Sequence, residues 1–335
     1  MKEGMSPSRM NCMTACNRKH YWSYEVGIKP ATDAQALRFG SAIHRALAGR
    51  AIGADYATAL SLGIGEAKDL VELDVAILAA LLEGYYQRYA EEIVEKMYPE
   101  VEIRTEMEGN GSFEAHTVLD GMAQLKDSRL ALMEHKTTSE SIEGSSPYWE
   151  SLRYNTQCTF YVEAARSKDW NIETVVYDVI KKPGIAPKQT PTLDRDGKKI
   201  VRDATGTRVF KKDGSPRESA DTEKGFVLLQ DIETVDQFSD RLRADIAERP
   251  DYYFARKELS VLDSDIQEMQ AQRDAVARQI TAARLQQRRY DKPEYAWPRC
   301  VGRFTCQMCE FSGPCLQGLS CTKENPFSGF KLKNS

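Results

Sequence analysis

The sequence lacks a long hydrophobic run: no stretch approaches the roughly 18 apolar residues that a membrane-spanning helix needs. Its first ten residues, MKEGMSPSRM, have no apolar stretch typical of a signal peptide, and no internal repeat is visible. We therefore expect a cytoplasmic protein without a membrane partner. With 335 residues, 41% hydrophobic and 29% charged, the chain can bury a sizeable core, and we treat residues 1–335 as one domain.

An excess of positive charge is also lacking, because the net charge is −4. Charge is nevertheless segregated along the chain. Between Lys181 and Arg217, eleven Lys and Arg residues stand against four Asp and Glu, a local charge of +7, so the remainder sums to −11. Turn signals such as Asp196-Gly197 and Asp213-Gly214 recur there. We predict that residues 184–225 form an inserted basic β-ribbon; a solvated, partly disordered loop is the alternative.

The order of the secondary-structure signals predicts an α/β protein. Helical spacing marks residues 8–22, 34–48 and 66–98. Strand patterns follow at VEIRTEM, AHTVLDG, SRLALME and TVVYDVI, with a helix, WESLRYNTQCTFYVEAARS, before the last of them. Helices therefore flank a central mixed sheet.

A second helical signal lies near the end of the sequence. Residues 259–290 show heptad-like apolar spacing that is interrupted at Arg273. We predict a C-terminal helical arm there, through which the chain could form an oligomer. A helix that lies on its own domain is the alternative.

Residues 131–139, ALMEHKTTS, place charged residues at the end of an otherwise apolar strand, which costs free energy unless something balances them. Residues two apart on a strand share a face, so Glu134 and Lys136 point the same way. A three-residue turn at residues 126–128 would set Asp120 opposite Glu134, with Cβ atoms roughly 5 Å apart. A two-residue turn would move Asp120 to the other face. Both registers remain open, and only the first assembles a site.

Two carboxylates that close repel each other unless a cation lies between them, and oxygen ligands suit Mg²⁺ or Mn²⁺. Such an ion makes a nucleophile from water and neutralises a phosphate under attack. Lys136 would then hold the attacking water or stabilise the developing charge; an exposed ion pair at the strand end is the alternative. His44 offers an additional imidazole ligand, and Gln157 and Tyr161 share one helix face.

In order along the chain, four motifs resemble the RecB-type branch of the PD-(D/E)xK nuclease superfamily over most of residues 1–182: GSAIH, VLDG, MEHKTTS and QCTFY. The resemblance implies a restriction-endonuclease-like core. The catalytic residues that it implies are Asp120, Glu134, Lys136, Gln157 and Tyr161. The metal ligands that it implies are His44, Asp120, Glu134 and the backbone carbonyl of His135.

Cysteines are unevenly placed, at Cys12, Cys16, Cys158, Cys300, Cys306, Cys309, Cys315 and Cys321. In a protein expected in the cytosol, such clustering indicates metal before disulfide. Four thiolates can hold an iron–sulfur cluster or zinc.

One branch of the superfamily, which includes CRISPR-associated adaptation nucleases and helicase–nuclease subunits of bacterial recombination, carries a [4Fe-4S] cluster on one N-terminal and three C-terminal cysteines. The resemblance implies that Cys16, Cys306, Cys309 and Cys315 hold such a cluster here. Residues 300–321 would then bind the cluster, which would clasp the two ends of the chain together. Zinc in place of the cluster, and Cys300 in place of Cys306, remain open.

Without helicase motifs, the chain resembles stand-alone phage-encoded members. This implies a Mg²⁺- or Mn²⁺-dependent DNA exonuclease that hydrolyses single-stranded DNA or DNA ends in recombination, repair or phage DNA processing. A recombination or replication protein is a further expected partner. The alternatives are a catalytically silent DNA-binding or partner-recruiting protein that keeps the fold and cluster, and a metal-binding scaffold. The intact Asp120, Glu134 and Lys136 favour the enzyme, because silent members usually lose one of them.

Overall fold

The computed structural model describes residues 2–32, 34–67, 69–91, 93–107 and 112–333. In chain order, its strands are β1 (Glu3–Met5), β2 (Ile28–Pro30), β3 (Val94–Glu106), β4 (Phe113–Leu125), β5 (Leu130–Thr138), β6 (Thr174–Lys181), β7 (Gln189–Pro191), β8 (Val201–Arg202), β9 (Val227–Leu228), β10 (Gln230–Ile232), β11 (Phe254–Leu259) and β12 (Phe330–Leu332). Its α-helices are α1 (Pro7–Ala15), α2 (Asn17–His20), α3 (Gln35–Ala51), α4 (Tyr56–Glu66), α5 (Glu72–Arg88), α6 (Pro147–Arg153), α7 (Thr156–Arg166), α8 (Val235–Glu248), α9 (Pro250–Tyr253), α10 (Asp263–Gln287), α11 (Arg303–Gln307) and α12 (Ser312–Leu316).

β4 is the centre of a six-stranded mixed sheet. β3 pairs antiparallel along one edge of β4. On the other edge, β1 pairs parallel with residues 113–115 and β5 pairs antiparallel with residues 121–124. β6 then runs parallel to β5, and β11 lies antiparallel to β6. This is the central mixed sheet that the sequence predicts.

Helices cover both faces of this sheet, and β6 shows how the faces divide. Val175, Tyr177 and Val179 belong to the core beneath α1, α7 and α10, whereas Ile180 belongs to the core beneath α3, α5 and α8. Alternate residues of a strand point to opposite faces, so a strand buried on both sides reads as one apolar run. No helix within the described ranges has the length and apolar character needed to cross a membrane.

Two predicted helices are divided in the structure. The helix expected over residues 8–22 ends at Ala15, because Cys16 is extended with φ −165° and ψ 116°. The helix expected over residues 149–167 breaks before α7, where the Asn155 side chain accepts a hydrogen bond from the Gln157 N–H at 2.9 Å. Such a cap satisfies one of the free donors at the start of α7.

The long helix expected over residues 66–98 is too long at both ends. α5 occupies only Glu72–Arg88, and β3 begins at Val94. The apolar residues of 94–98 fit a helical spacing by chance, and their pairing with β4 overrides it.

The basic insertion forms small antiparallel ladders outside the main sheet. β7 pairs with β10, and β8 pairs with β9. Between them, three turns are closed by the bridges Leu193↔Lys199, Arg202↔Arg208 and Phe210↔Pro216. These bridges recur every eight or nine residues.

α10 lies on its own domain, which is the alternative left open for residues 259–290. Arg273, which interrupts the heptad spacing, donates to Glu163 of α7 at 2.8 Å. The apolar seam packs into the core with α1 and α7 through Met269, Val276, Ala277, Ile280 and Ala283. The seam that suggested an oligomer contact is therefore used within the chain.

The last strand of the described chain is joined to a segment near its beginning. β12 pairs antiparallel with β2. The Trp22 ring lies 5.1 Å from Phe327 and 5.4 Å from Phe311, centroid to centroid. Arg284 of α10 binds Glu25 at 2.7 Å. These contacts place the segment that contains Cys16 beside the cysteine-rich residues 300–321.

Candidate active site

The turn between β4 and β5 sets the register of the site. The Leu125 N–H donates to the Arg129 carbonyl at 2.9 Å, so the turn consists of residues 126–128. Ser128 takes a left-handed conformation with φ 70°, as the last residue of a three-residue hairpin loop commonly does. The paired residues end at Gly121↔Met133, and the next position along sets Asp120 opposite Glu134. Of the two registers left open, this is the one that assembles a site.

Asp120 is held by two neighbours. Its Oδ2 accepts a hydrogen bond from the His135 backbone N–H at 3.0 Å, and its Oδ1 lies 3.2 Å from His44 Nδ1. Burial would raise the pKa of Asp120, but the hydrogen bond to His44 and the nearby positive charges together outweigh it, and the pKa falls below its usual range. Burial likewise opposes protonation of His44, yet Asp120 raises its pKa. Asp120 is therefore a carboxylate beside an imidazole that favours the cationic form.

Glu134 differs from Asp120 because its environment disfavours charge. Its side chain is 1% exposed. Burial first, and the Asp120 carboxylate second, raise the pKa of Glu134 to about 7. Its Oε1 accepts from Lys136 Nζ at 2.5 Å, whereas its Oε2 is buried and finds no hydrogen-bond partner among the described residues.

Lys136 connects the acidic pair to α7. Its Nζ donates to Gln157 Oε1 at 2.9 Å, and Gln157 Nε2 donates to the Tyr161 hydroxyl at 2.6 Å. Burial would lower the pKa of Lys136, but the Glu134 carboxylate raises it, so the side chain stays an ammonium. Burial raises the pKa of Tyr161 to about 12, which keeps the phenol protonated.

The oxygen atoms of the acidic pair have the chemistry of a divalent-cation site. A hard cation would satisfy the unpartnered Glu134 Oε2 and relieve its repulsion from Asp120. Of the residues predicted as ligands, His44 and the backbone N–H of His135 contact Asp120, and the strand register sets Glu134 opposite Asp120. Across the ranges that the structure describes, however, no three His, Cys, Asp or Glu side chains already form a ligand set for a metal ion.

A cavity of about 660 Å³ opens beside His44. Its walls come from α3, from Thr137 at the end of β5 and from Lys182. Burial lowers the pKa of Lys182. The volume lies within the range of small-molecule pockets, and His44, which contacts Asp120, forms part of the cavity wall.

Behind the acidic pair lies a buried group that sequence analysis missed. Asp178 of β6 accepts hydrogen bonds from Arg256 Nε at 3.0 Å and from the Tyr85 hydroxyl, and its Oδ2 lies 2.9 Å from His135 Nδ1. A signal existed in the sequence: TVVYDVI carries one acid inside a β-branched run, and a buried acid requires partners. The partners themselves are distant in sequence.

The cysteine region joins both ends of the chain. The Cys300 N–H lies 3.5 Å from Cys16 Sγ, and Arg18 Nε donates to the Trp297 carbonyl at 3.0 Å. Burial raises the pKa of Cys309, and the nearby Cys16 adds to that rise. Cys16 thus meets the C-terminal segment. In the described part of the chain no group of three cysteines is close enough together to hold a metal, and none forms a disulfide.

The chain matches the family model of the PD-(D/E)XK nuclease superfamily over residues 4–316. It therefore belongs to this superfamily, and the mixed sheet flanked by helices is its restriction-endonuclease-like core. The protein is a nuclease.

Two solved structures are similar to this chain at low identity. A proposed exonuclease of Eubacterium rectale is 11% identical, with 97% of this chain and 91% of that chain covered and a TM-score of 0.44. A protein of Vibrio cholerae is 11% identical, with 54% of each chain covered and a TM-score of 0.17. No curated protein matches the chain significantly.

Proposed function

We propose that this nuclease is a Mg²⁺- or Mn²⁺-dependent DNA exonuclease that hydrolyses single-stranded DNA or DNA ends. The observation that carries the proposal is the convergence of Asp120, Glu134 and Lys136 on neighbouring positions of β4 and β5. A silent nucleic-acid-binding protein would have no need for a buried carboxylate that is costly to ionise.

The residues of the site divide the work. Asp120, Glu134, the His135 carbonyl and His44, which would have to give up its proton to act as a ligand, would hold the ion, which supplies Lewis acidity and a lowered pKa for water. Lys136 is an ammonium, so it donates to the attacking water or to the phosphate oxygen that gains charge, and it is no general base. Gln157 and Tyr161 fix the Lys136 ammonium and present further polar groups to the DNA strand.

The basic ribbon supports DNA as the substrate. Arg208 pairs with Asp194, and Arg217 pairs with Asp221 at 3.0 Å, so the acids of the ribbon hold its turns. Asp221 lies outside residues 181–217; counted through Lys224, the segment has twelve Lys and Arg against seven Asp and Glu, a net charge of +5. Cations in this number would neutralise phosphates and release counterions. Phe210 is the sole aromatic of residues 181–217, which favours contact with the DNA backbone over base stacking.

A [4Fe-4S] cluster on Cys16, Cys306, Cys309 and Cys315 is part of the proposal. Its support is the meeting of Cys16 with the segment around Cys300, together with the soft thiolate chemistry of the four residues. Such a cluster would close a loop of nearly the whole chain. Zinc on the same cysteines is the competing candidate, and Cys300 competes with Cys306 as a ligand.

The cellular setting that we propose is the cytoplasm of a bacterium or of a phage-infected host. There the exonuclease would act in recombination, repair or phage DNA processing, with a recombination or replication protein as its partner.

The test uses linear and circular single-stranded DNA with Mn²⁺, in the presence and absence of EDTA. We expect the purified protein to degrade end-labelled linear DNA and to leave circular DNA intact. Cleavage should cease when EDTA is added. The matched control is Glu134→Gln, which keeps the shape of the side chain and removes the charge. Cleavage of the circle would make the protein an endonuclease. Binding of DNA without any cleavage would favour the catalytically silent alternative.

A further inference from the structure

His135 has two sets of contacts on opposite sides of its strand. Its backbone N–H donates to Asp120 Oδ2 at 3.0 Å, whereas its ring lies 2.9 Å from Asp178 through Nδ1. Successive side chains of a strand point to opposite faces, so the His135 ring lies across the sheet from Glu134 and Lys136. The residue therefore links the acidic pair to whatever holds its ring.

What holds the ring is a buried network around Asp178. The Asp178 side chain is 0% exposed. It accepts from Arg256 Nε at 3.0 Å and from the Tyr85 hydroxyl, and Arg256 in turn donates to the Tyr85 hydroxyl at 2.7 Å. The Arg256 guanidinium lies 3.7 Å from the centre of the Tyr89 ring. Three elements of the fold, α5, β6 and β11, thus fix one carboxylate.

The network also determines which ring nitrogen of His135 carries the proton. Burial would raise the pKa of Asp178, but the Arg256 charge holds it well below its usual range. An ionised carboxylate only accepts hydrogen bonds, so His135 must carry a proton on Nδ1. In the neutral ring Nε2 is then the nitrogen with the lone pair. It is buried and has no hydrogen-bond partner among the described residues.

A scaffold role alone does not explain this arrangement. The ion pair of Asp178 with Arg256, together with Tyr85, would satisfy the carboxylate without a histidine. The ring of His135 instead lies 6.1 Å from the ring of His44, centroid to centroid, on the side where His44 meets Asp120. The buried network thus ends at the candidate metal site.

We propose that Asp178 is a positioning residue of the active site, which acts through His135 to fix residues 134–136 against Asp120. Tyr85 and Arg256 hold Asp178, and Asp178 holds the His135 ring in the tautomer protonated on Nδ1. A carboxylate that orients the ring of a metal-ligating histidine tunes both metal affinity and activity; here Asp178 would act through the His135 ring on the backbone that carries the proposed carbonyl ligand. The inference rests on the proposed function, because the site that Asp178 positions is the metal site proposed above.

The test compares the wild type with Asp178→Asn, which keeps the shape of the side chain and removes the charge. We expect Mn²⁺ affinity, measured by calorimetry without DNA, and kcat to fall together by roughly 10- to 100-fold, with KM for DNA unchanged. A readout independent of metal comes from ¹⁵N-histidine NMR of the metal-free protein. The chain has only four histidines, so His135 can be assigned, and the variant should lose its fixed Nδ1–H tautomer.

The matched control is Glu163→Gln, which weakens another buried ion pair, the one with Arg273 at 2.8 Å. It should lower the melting temperature but leave Mn²⁺ affinity unchanged. If Asp178→Asn loses stability like the control and keeps wild-type Mn²⁺ affinity and kcat, Asp178 is structural and the inference is wrong. If Asp178→Asn does not fold, Tyr85→Phe replaces it, since it removes one bond to Asp178; a wild-type tautomer, Mn²⁺ affinity and kcat in that variant would overturn the inference.

The two proposals fail in different ways. A wild type that neither binds Mn²⁺ nor cleaves DNA would remove the proposed function. The NMR result would still decide whether Asp178 sets the proton on His135. Normal Mn²⁺ binding and cleavage in Asp178→Asn would contradict only the positioning role of Asp178 and leave the proposed function standing.

Discussion

Replacing Glu134 with Gln should stabilise the metal-free protein at alkaline pH while abolishing cleavage. Glu134 is buried, its Oε2 lacks a hydrogen-bond partner among the described residues, and Asp120 repels its charge. In the variant, the amide oxygen of the glutamine can still accept a hydrogen bond from Lys136. The substitution therefore removes an unfavourable charge and keeps the one hydrogen bond that the carboxylate makes.

The magnitude follows from the pKa of Glu134. Burial and Asp120 raise it from an ordinary value of 4.5 to about 7. Each tenfold change in proton affinity is worth about 1.4 kcal/mol, so this rise corresponds to on the order of 3 kcal/mol. The folded state binds the proton more tightly than the unfolded state does, so this contribution to stability is complete below pH 4.5 and is lost as the pH rises to about 7. The Gln variant does not titrate and keeps its stability.

The assay is urea unfolding of the wild type and Glu134→Gln in EDTA at about pH 5 and pH 8. We expect the gap in unfolding free energy to widen in favour of the variant by about 2–3 kcal/mol between the two conditions. Glu163→Gln is the control, and it should be less stable than the wild type at both. Saturating Mn²⁺ should raise the melting temperature of the wild type and of Glu163→Gln but not that of Glu134→Gln, since a ligand stabilises only a folded state that binds it. A gap that is equal at both pH values would refute the reasoning.

Three further outcomes are expected. Lys136→Ala should lower the single-turnover cleavage rate by a factor of hundreds or more, because it removes a preorganised charge at the reacting phosphate; a wild-type rate would exclude Lys136 from the active site. Cys16→Ser should lose bound iron, measured by metal analysis, and on the order of 4 to 5 kcal/mol of stability, since the cross-link closes a very long loop; unchanged metal and melting temperature would point to Cys12 instead. Replacing Lys198, Lys199, Lys211 and Lys212 of the ribbon with Glu should weaken DNA binding and flatten its dependence on salt, with Mn²⁺ affinity unchanged. DNA affinity that is unaltered across a salt series would instead favour an acidic protein as the partner of the ribbon.

The sheet was predictable because its strands carry local patterns. TVVYDVI reads as a strand without any knowledge of the fold, and it is buried along its whole length as β6. The helix limits were less predictable, since they depend on tertiary contacts. α5 ends at Arg88, and residues 94–106 pair with β4 instead of continuing a helix to residue 98.

In the site, too, local features were predictable from the sequence and tertiary contacts were not. The alternation of side chains along a strand predicts that Glu134 and Lys136 share a face. The position of Asp120 opposite Glu134 depends on the length of the turn, which the sequence left open and the structure gives as residues 126–128. The bond of His44 to Asp120 joins residues 76 apart in sequence, and the motif order alone suggested it. Arg256 and Tyr85 carry no local signal, because they meet Asp178 only after three elements pack together.

The pairing of β12 with β2 has a consequence for synthesis on the ribosome. Residues 28–30 find their partner strand only when residues 330–332 have left the exit tunnel, about 300 residues later. At translation rates of about 5–20 residues per second, the first segment waits roughly 15–60 s with an open strand edge. During that interval Cys16 and Trp22 also lack their C-terminal neighbours. Until then the growing chain presents this unpaired strand edge to proteases and to other nascent chains, and a stop codon near residue 320 would leave residues 28–30 without their partner strand.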